Sequence, residues 1–217
     1  MICQEFWRCP ALPKISEERR ADRRLQILNA AWKCFHRQGL HGTSMADIIR
    51  VSGLSAGAVY LYFRSKDDLI EAAVTSSLGE FTELAKPLFE RTPPADPGAF
   101  MTELVRLLER FTKRGEYSLK VIAIHGWSQA LTDAKLKATI AKMYTDIRNQ
   151  IARLATMWQV AGFFGTAAQA NEVAEVCFSM LLGYMVQSAL LDDVTTASHA
   201  KGFAALSQIE RLRERRA

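Results

Sequence analysis

The sequence predicts an all-α protein of about nine helices, with an N-terminal three-helix unit followed by a larger C-terminal helical part. Three observations carry that prediction. Apolar residues recur at i, i+3 and i+4 along most of the chain, and no alternating run of the strand type interrupts them. Serine, threonine and aspartate stand just ahead of several stripes, where their oxygens can accept the free N–H groups of a helix start. Residues 43–69, TSMADIIRVSGLSAGAVYLYFRSKDDL, pack three such starts and one glycine turn into a single short stretch.

The first helix is expected to start near Ser16 and Glu17 and to end at Gly39 in the C-cap position. Ile27, Leu28, Ala31 and Phe35 make its buried stripe. Arg19, Arg20, Arg23 and Arg24, with Lys14, face either DNA phosphates and an adjacent minor groove, or their own neighbours Glu17, Glu18 and Asp22. Thr43 or Ser44 caps the second helix, which buries Met45, Ile48 and Ile49. Ser55 caps the third, which buries Leu54, Ala58 and Val59. Gly53 lies between them, where a tight turn needs positive φ and glycine adopts it without steric cost. Ser65 and Asp68 form an acidic variant of the capping box at the fourth helix start.

Two short helices that bury facing sides around such a turn leave the second free to face outward. Its outer face holds Ser55, Ala56, Gly57, Tyr60 and Tyr62: small residues that let the backbone approach base edges, then hydroxyls that can bond phosphates or bases. Lys66, in the first turn of the next helix, adds a cation beside free N–H groups. This is the pattern of a helix-turn-helix that reads DNA.

Together with RLQILNAAWKCFHRQG at residues 24–39, the stretch resembles the DNA-binding domain of the TetR family of one-component bacterial transcriptional regulators. Arg24, Ile27, Leu28, Ala30, Ala31, Phe35, Gly39, Thr43, Ser44, Asp47, Ile48, Gly53, Tyr60, Tyr62, Phe63, Ser65, Lys66 and Leu69 carry the resemblance. What it implies is contact with DNA by Arg24, Thr43, Ser44, Ser55, Ala56, Gly57, Ala58, Tyr60, Tyr62 and Lys66. Two positions depart from the family pattern. Ile49 replaces an alanine at the close helix crossing, and Ala58 replaces a hydroxyl residue that could touch phosphate or base. Both departures bear on the operator sequence rather than on the fold.

Beyond this unit, breaks fall at 92–98, 114–116, 132–133, 162–166 and 192–196. They give a fourth helix over 66–84, ending ahead of Pro87, then helices over 97–113, 117–131, 134–161, 170–191 and 197–213. The expected divisions are an N-terminal arm at 1–15, a DNA-binding domain at 16–64 and a ligand-binding and dimerisation domain at 65–217. The middle helices combine aromatics and methionines with a few polar groups, which suits a small apolar or amphipathic effector. Phe100, Leu104, Ile124, His125, Trp127, Met143, Tyr144 and Ile147 are its expected lining, with His125 and Tyr144 as polar anchors and Trp127 or Trp158 as a stacking wall. The resemblance implies that the last two helices pair across a homodimer, through Val173, Val176, Met180, Leu181, Tyr184, Phe203 and Leu206. A homodimer also matches the need for two reading heads about one DNA turn apart.

Composition agrees. A chain of 217 residues, 49% hydrophobic, holds more core than a single DNA-binding module uses. Residues 1–70 carry 11 Lys/Arg against 7 Asp/Glu, and the remainder 17 against 16, so the positive charge belongs to the presumed DNA-binding part. Cys3, Cys9, Cys34 and Cys177 show no CxxC pair and share no ligand spacing with histidine, which indicates reduced cytoplasmic thiols and neither zinc nor a disulfide framework. The first fourteen residues lack the apolar stretch of a signal peptide, and the most apolar run, MLLGYMV at 180–186, falls short of the ~18 residues that cross a bilayer. His36, His41, His125 and His199 have no HExxH spacing, and no glycine-rich phosphate loop or nucleophile setting is present, so no catalytic residue, metal or cofactor is assigned. The expected function is a DNA-binding regulator, a ligand-released repressor of a palindromic operator. The alternative is an all-helical small-molecule carrier or sensor without a DNA role.

Overall fold

Local chemistry sets most helix limits. The structure is a computed structural model that describes residues 17–92, 94–165 and 167–207, with the side chains of residues 206 and 207 outside that description. The arm at 1–15 with Cys3, Cys9 and Lys14, the expected start at Ser16, and the expected contacts of Leu206 all lie outside the described residues. Helix α1 (Glu17–Gly42) leads into α2 (Met45–Ser52), α3 (Ala56–Tyr62) and α4 (Lys66–Glu90). Helix α5 (Pro97–Thr112), α6 (Leu119–Ala130), α7 (Ala134–Val160), α8 (Ala170–Leu190) and α9 (Thr196–Ser207) complete the chain, making nine helices among the described residues.

Ser44 is the cap of α2, and it forms a full box with Asp47. The Asp47 N–H donates to Ser44 Oγ at 3.2 Å, and the Ser44 N–H donates back to Asp47 Oδ2 at 3.1 Å. Hydrogen bonds from the Ser44 hydroxyl, then from Arg50, hold the Asp47 carboxyl at about 2, well below its ordinary value. Ser44→Ala is expected to lower stability by about 1 kcal/mol, read from the midpoint of urea unfolding. Thr43 does not share the capping. It is 2% exposed, and its hydroxyl donates to the Gly39 carbonyl at 2.8 Å.

Gly39 breaks α1 as expected, with φ 70° and ψ 174°. The chain then takes one more turn to Gly42, because Leu40 is buried and that turn carries it into the core. Gly53 adopts φ 69° between α2 and α3.

Three elements differ from expectation. Helix α4 passes through Pro87 to Glu90 instead of stopping near residue 84. Pro87 lies in the final turn, where it removes one N–H bond but leaves little helix to disrupt, and Leu88 and Phe89 still pack against the core. The break after α5 contains a two-stranded antiparallel hairpin, β1 (Lys113–Arg114) with β2 (Tyr117–Ser118), turned by Gly115 at φ 60°. Two-residue strands are too short to print an alternating pattern, and α6 begins at Leu119 rather than 117. Helix α8 is, by length and composition, apolar enough to cross a bilayer, with mean hydropathy 1.5 over its best window, which corrects the estimate drawn from MLLGYMV. Its Ala174, Cys177, Phe178, Leu181, Tyr184 and Met185 are buried within the protein.

The core is continuous from the N-terminal helices into the C-terminal bundle. Helix α8 packs mainly on α7, and α9 packs on α5. A buried ionic cluster ties α5, α6 and α8 together. Lys120, 6% exposed, pairs with Glu109, while its ammonium also donates to Ser188 Oγ at 3.0 Å and the Tyr184 hydroxyl donates to Glu109 Oε2 at 2.7 Å. Sequence reasoning missed this cluster, since its members lie 11 to 75 residues apart.

Candidate nucleic-acid interface and internal cavity

The first three helices present one small exposed surface. Ile48, Val59 and Phe63 are buried, which turns Ser55, Ala56, Gly57, Tyr60 and Leu61 outward on α3. Ser55 caps α3 by accepting the Ala58 N–H at 3.3 Å. Leu61 is 77% exposed and escaped the sequence reading, although its place four residues after Gly57 puts it on the same face. An exposed leucine there is suited to apolar contact with a thymine methyl. Ala58 and Tyr62 are half-buried, and Tyr62 packs against the core, so it is set back from the tip.

The turn that carries α3 is braced from behind. Gln26 Nε2 on α1 donates to the Ser52 carbonyl at 2.8 Å, and the Ser52 hydroxyl accepts the Leu54 N–H at 3.2 Å. Arg24 places its guanidinium 5.3 Å from the centre of the Phe63 ring, just beyond α3. Arg20, Arg23, Arg24 and Arg64 are exposed around this surface. Lys66 departs from its expected place. Its ammonium donates to the Leu40 carbonyl at 3.0 Å, so it straps the start of α4 to the end of α1 instead of standing free for phosphate. Ser65 caps α4 as expected, but Asp68 accepts from the Arg64 N–H, one residue before the position a capping box uses.

The sequence profile described as "Bacterial regulatory proteins, tetR family" matches residues 27–73, which span this surface and its supports. Over those residues the chain is similar to the DNA-binding domain of the TetR family. An uncharacterized HTH-type transcriptional regulator, YfiR of Bacillus subtilis (strain 168), is 33% identical over 93 residues, covering 42% of this chain and 45% of YfiR. The chain thus spans less than half the length of such curated relatives. Two solved structures share the whole fold. Salmonella enterica GusR gives a TM-score of 0.72 at 20% identity over 90% of this chain and 97% of that one. A Saccharomonospora viridis transcriptional regulator in complex with choline gives 0.73 at 19% identity over 87% and 97%.

Beyond this domain a cavity of about 90 Å³ lies among α4, α5, α6, α7 and α8. Trp127, Tyr144 and Ile147 line it as expected, beside Phe81, Phe111 and Phe178. Five other expected residues do not. Phe100 and Leu104 are core residues, Phe100 packing on Phe89 and Trp158 with ring centres 5.3 and 5.5 Å apart. Trp158 is likewise fully buried, its Nε1 donating to the Ala95 carbonyl at 2.8 Å. Ile124 and Met143 are half-buried away from the lining. His125 turns the other way, toward α1: a Cβ on Gly39 would stand 3.3 Å from its ring. Trp127 Nε1 donates to the Tyr144 hydroxyl at 2.6 Å, and the Tyr144 and Phe178 rings meet edge to face at 5.0 Å.

Two residues expected at a dimer contact are interior. Leu181 lines the cavity, and Tyr184 is 1% exposed with its hydroxyl on Glu109. Val173, Met180 and Phe203 are half-buried and pack against the core, whereas Val176 is 58% exposed.

The hairpin between α5 and α6 clasps α1. Tyr117 stacks on Trp32 at 5.9 Å and donates to Asn29 Oδ1 at 3.1 Å, the Ser118 N–H donates to His36 Nδ1 at 3.4 Å, and Glu116 pairs with Lys33. With His125 against Gly39, the C-terminal helices therefore grip α1 at two places.

Proposed function

We propose that the protein is a cytoplasmic DNA-binding regulator that binds a palindromic operator as a homodimer, represses by occluding the promoter, and is released by a small apolar effector. The observation that carries this reading is the exposed α3 face of Ser55, Ala56, Gly57, Tyr60 and Leu61, capped and braced by Gln26 and Ser52 within a TetR-family domain. Arg24 and the exposed arginines around it would supply phosphate contacts. Ser44, as a cap, would offer its exposed turn to the backbone, while Thr43 and Lys66 serve by holding α2 and α4 in place.

The division of labour follows the expected one, with residues 16–64 reading DNA and 65–217 binding effector and partner. The exposed apolar side chains of Val176 on α8 and of Met157 and Val160 on α7 would suit a second copy. Effector in the cavity presses on Trp127 and Gly126 of α6, and His125 on the same helix carries that displacement to Gly39. Repositioning α1 changes the spacing of the two α3 helices, and the effector acts to the extent that it prefers the changed state.

Fluorescence-anisotropy titration against the DNA upstream of the chain's own gene tests the reading. Saturable, salt-sensitive binding is expected. Tyr60→Ala with Leu61→Ala should keep the melting temperature and weaken operator binding at least about tenfold, since a base contact is worth ~1–3 kcal/mol and the dimer loses it twice. Unchanged affinity in that variant would refute the proposed reading face.

A further inference from the structure

The cavity carries a chemical signature of its own. Its walls are aliphatic and aromatic, and no charged side chain lines it. The two nearest cations are occupied elsewhere: the Lys120 ammonium is held by Glu109 and Ser188, and the Arg114 guanidinium lies over the Phe111 ring at 4.7 Å while bonded to Glu80. An ionic ligand would have to leave water without a counter-charge, which costs far more than apolar contact returns.

Polar recognition is confined to the hydroxyls of Ser77 at the α4 wall, Thr112 and Tyr144, and the Trp127 N–H. The Thr112 hydroxyl is committed to the Leu108 carbonyl at 2.9 Å. The Tyr144 hydroxyl accepts the Trp127 N–H, which leaves its own proton to donate, and among the described residues no acceptor takes it. Burial pushes the Tyr144 hydroxyl up to about 12, against the smaller opposing effect of the Trp127 bond, so it keeps that proton at neutral pH. The volume of about 90 Å³ is smaller than an apolar cavity of ~150 Å³ that takes benzene, so one ring is the upper limit and the walls must spread to admit it.

We propose that this cavity selects an uncharged compound of about one ring, bearing a single hydrogen-bond acceptor that takes the Tyr144 proton. The proposal rests on reading the cavity as the effector site. The Trp127 N–H occupies one lone pair of the Tyr144 oxygen, and the Tyr144 proton is there to donate with or without it.

Four probes of one shape test it by isothermal titration of the full chain: acetophenone, its acceptor-free counterpart α-methylstyrene, anionic benzoate and cationic benzamidine. Acetophenone should bind at or below about 1 mM, α-methylstyrene about tenfold more weakly, and the two ions more weakly still. Trp127→Phe should retain the preference for acetophenone over α-methylstyrene. Trp127→Phe with Tyr144→Phe, which leaves the Ser77 hydroxyl as the remaining uncommitted donor, should abolish it. Gly126→Ala places a methyl at the wall 3.9 Å from Val74 Cγ2, an ordinary contact, so this variant should fold and bind every ring probe less well. Benzoate or benzamidine binding as tightly as acetophenone, a preference lost in Trp127→Phe alone, or no saturable binding of any ring probe would each overturn the proposal. Operator binding measured on the same preparation separates the two readings: DNA binding without ring binding defeats this inference only, and ring binding without DNA binding defeats the proposed regulator only.

Discussion

Glu109→Gln is expected to destabilise the protein by about 3–5 kcal/mol, while Lys120→Met costs much less. The asymmetry follows from burial. The Lys120 side chain is 7% exposed, so neutralising Glu109 leaves an ammonium with the Ser188 hydroxyl and the Tyr184 ring, 5.4 Å away, but no counter-charge. Glu109 is 19% exposed and also touches Lys113 and Tyr184, so it tolerates the loss of Lys120 better. A matched apolar pair, Glu109→Leu with Lys120→Met, should recover most of the loss, because neither charge then needs a partner. Urea unfolding at one fixed protein concentration reads all three, the concentration being held so that any self-association contributes equally to each. Equal losses in the two single variants would contradict the assignment.

The same cluster fixes an acid dependence. Burial raises the Glu109 carboxyl, but hydrogen bonds from Lys120, Tyr184 and Lys113 outweigh it and bring the group from 4.5 to about 2. A carboxyl lowered on folding stabilises the protein above its unfolded value, and that contribution fades as pH falls from about 4.5 toward 2. Wild-type stability should drop across this window, and the drop should flatten in the apolar pair.

Gly39→Ala is expected to cost about 2–3 kcal/mol and to weaken operator binding as well. At φ 70° and ψ 174° the backbone occupies a region essentially reserved for glycine, worth of order 1–3 kcal/mol to any other residue. The added Cβ would also stand 3.3 Å from the His125 ring, which must give way. His125→Ala in the same chain relieves the ring contact and leaves the backbone cost, so the double variant should recover only part of the loss. The effect on DNA follows from what hangs on this turn. The Gly39 carbonyl accepts the Thr43 hydroxyl just before α2, and the adjacent Leu40 carbonyl accepts the Lys66 ammonium at the start of α4. Moving the turn moves the supports of α3. Full operator affinity in a destabilised Gly39→Ala chain would show that the turn supports folding alone.

The N-terminal site was legible because its chemistry is local. Ser44, Ser55 and Ser65 cap helices through N–H groups two or three residues onward, and Gly53 turns the chain where two short stripes must face each other. Lys66 was read correctly as a cation at a helix start and wrongly as free, since its partner carbonyl lies 26 residues earlier. Leu61 was overlooked because an apolar residue in a helical stripe looks the same whether it faces the core or solvent.

The cavity was the least legible part, for the same reason on a larger scale. Leu104 and Leu108 differ by one helical turn, yet only Leu108 reaches the cavity, and His125 and Trp127 on one helix face different neighbours. Which apolar side chain borders a void depends on how five helices are rotated and spaced, and that is set by the fit of all their surfaces together.

By itself the sequence determined the helical class, most helix starts, and the capped helix-turn-helix with its likeness to the TetR-family DNA-binding domain, because caps, periodicity and glycine turns act within a few residues. Only the tertiary structure decided that Lys66, Thr43 and His125 brace the reading head, that Lys120 is buried, and that Tyr144 holds a free proton in an uncharged cavity. Each of those depends on a partner far along the chain, and helix packing alone brings such partners within hydrogen-bond or van der Waals reach.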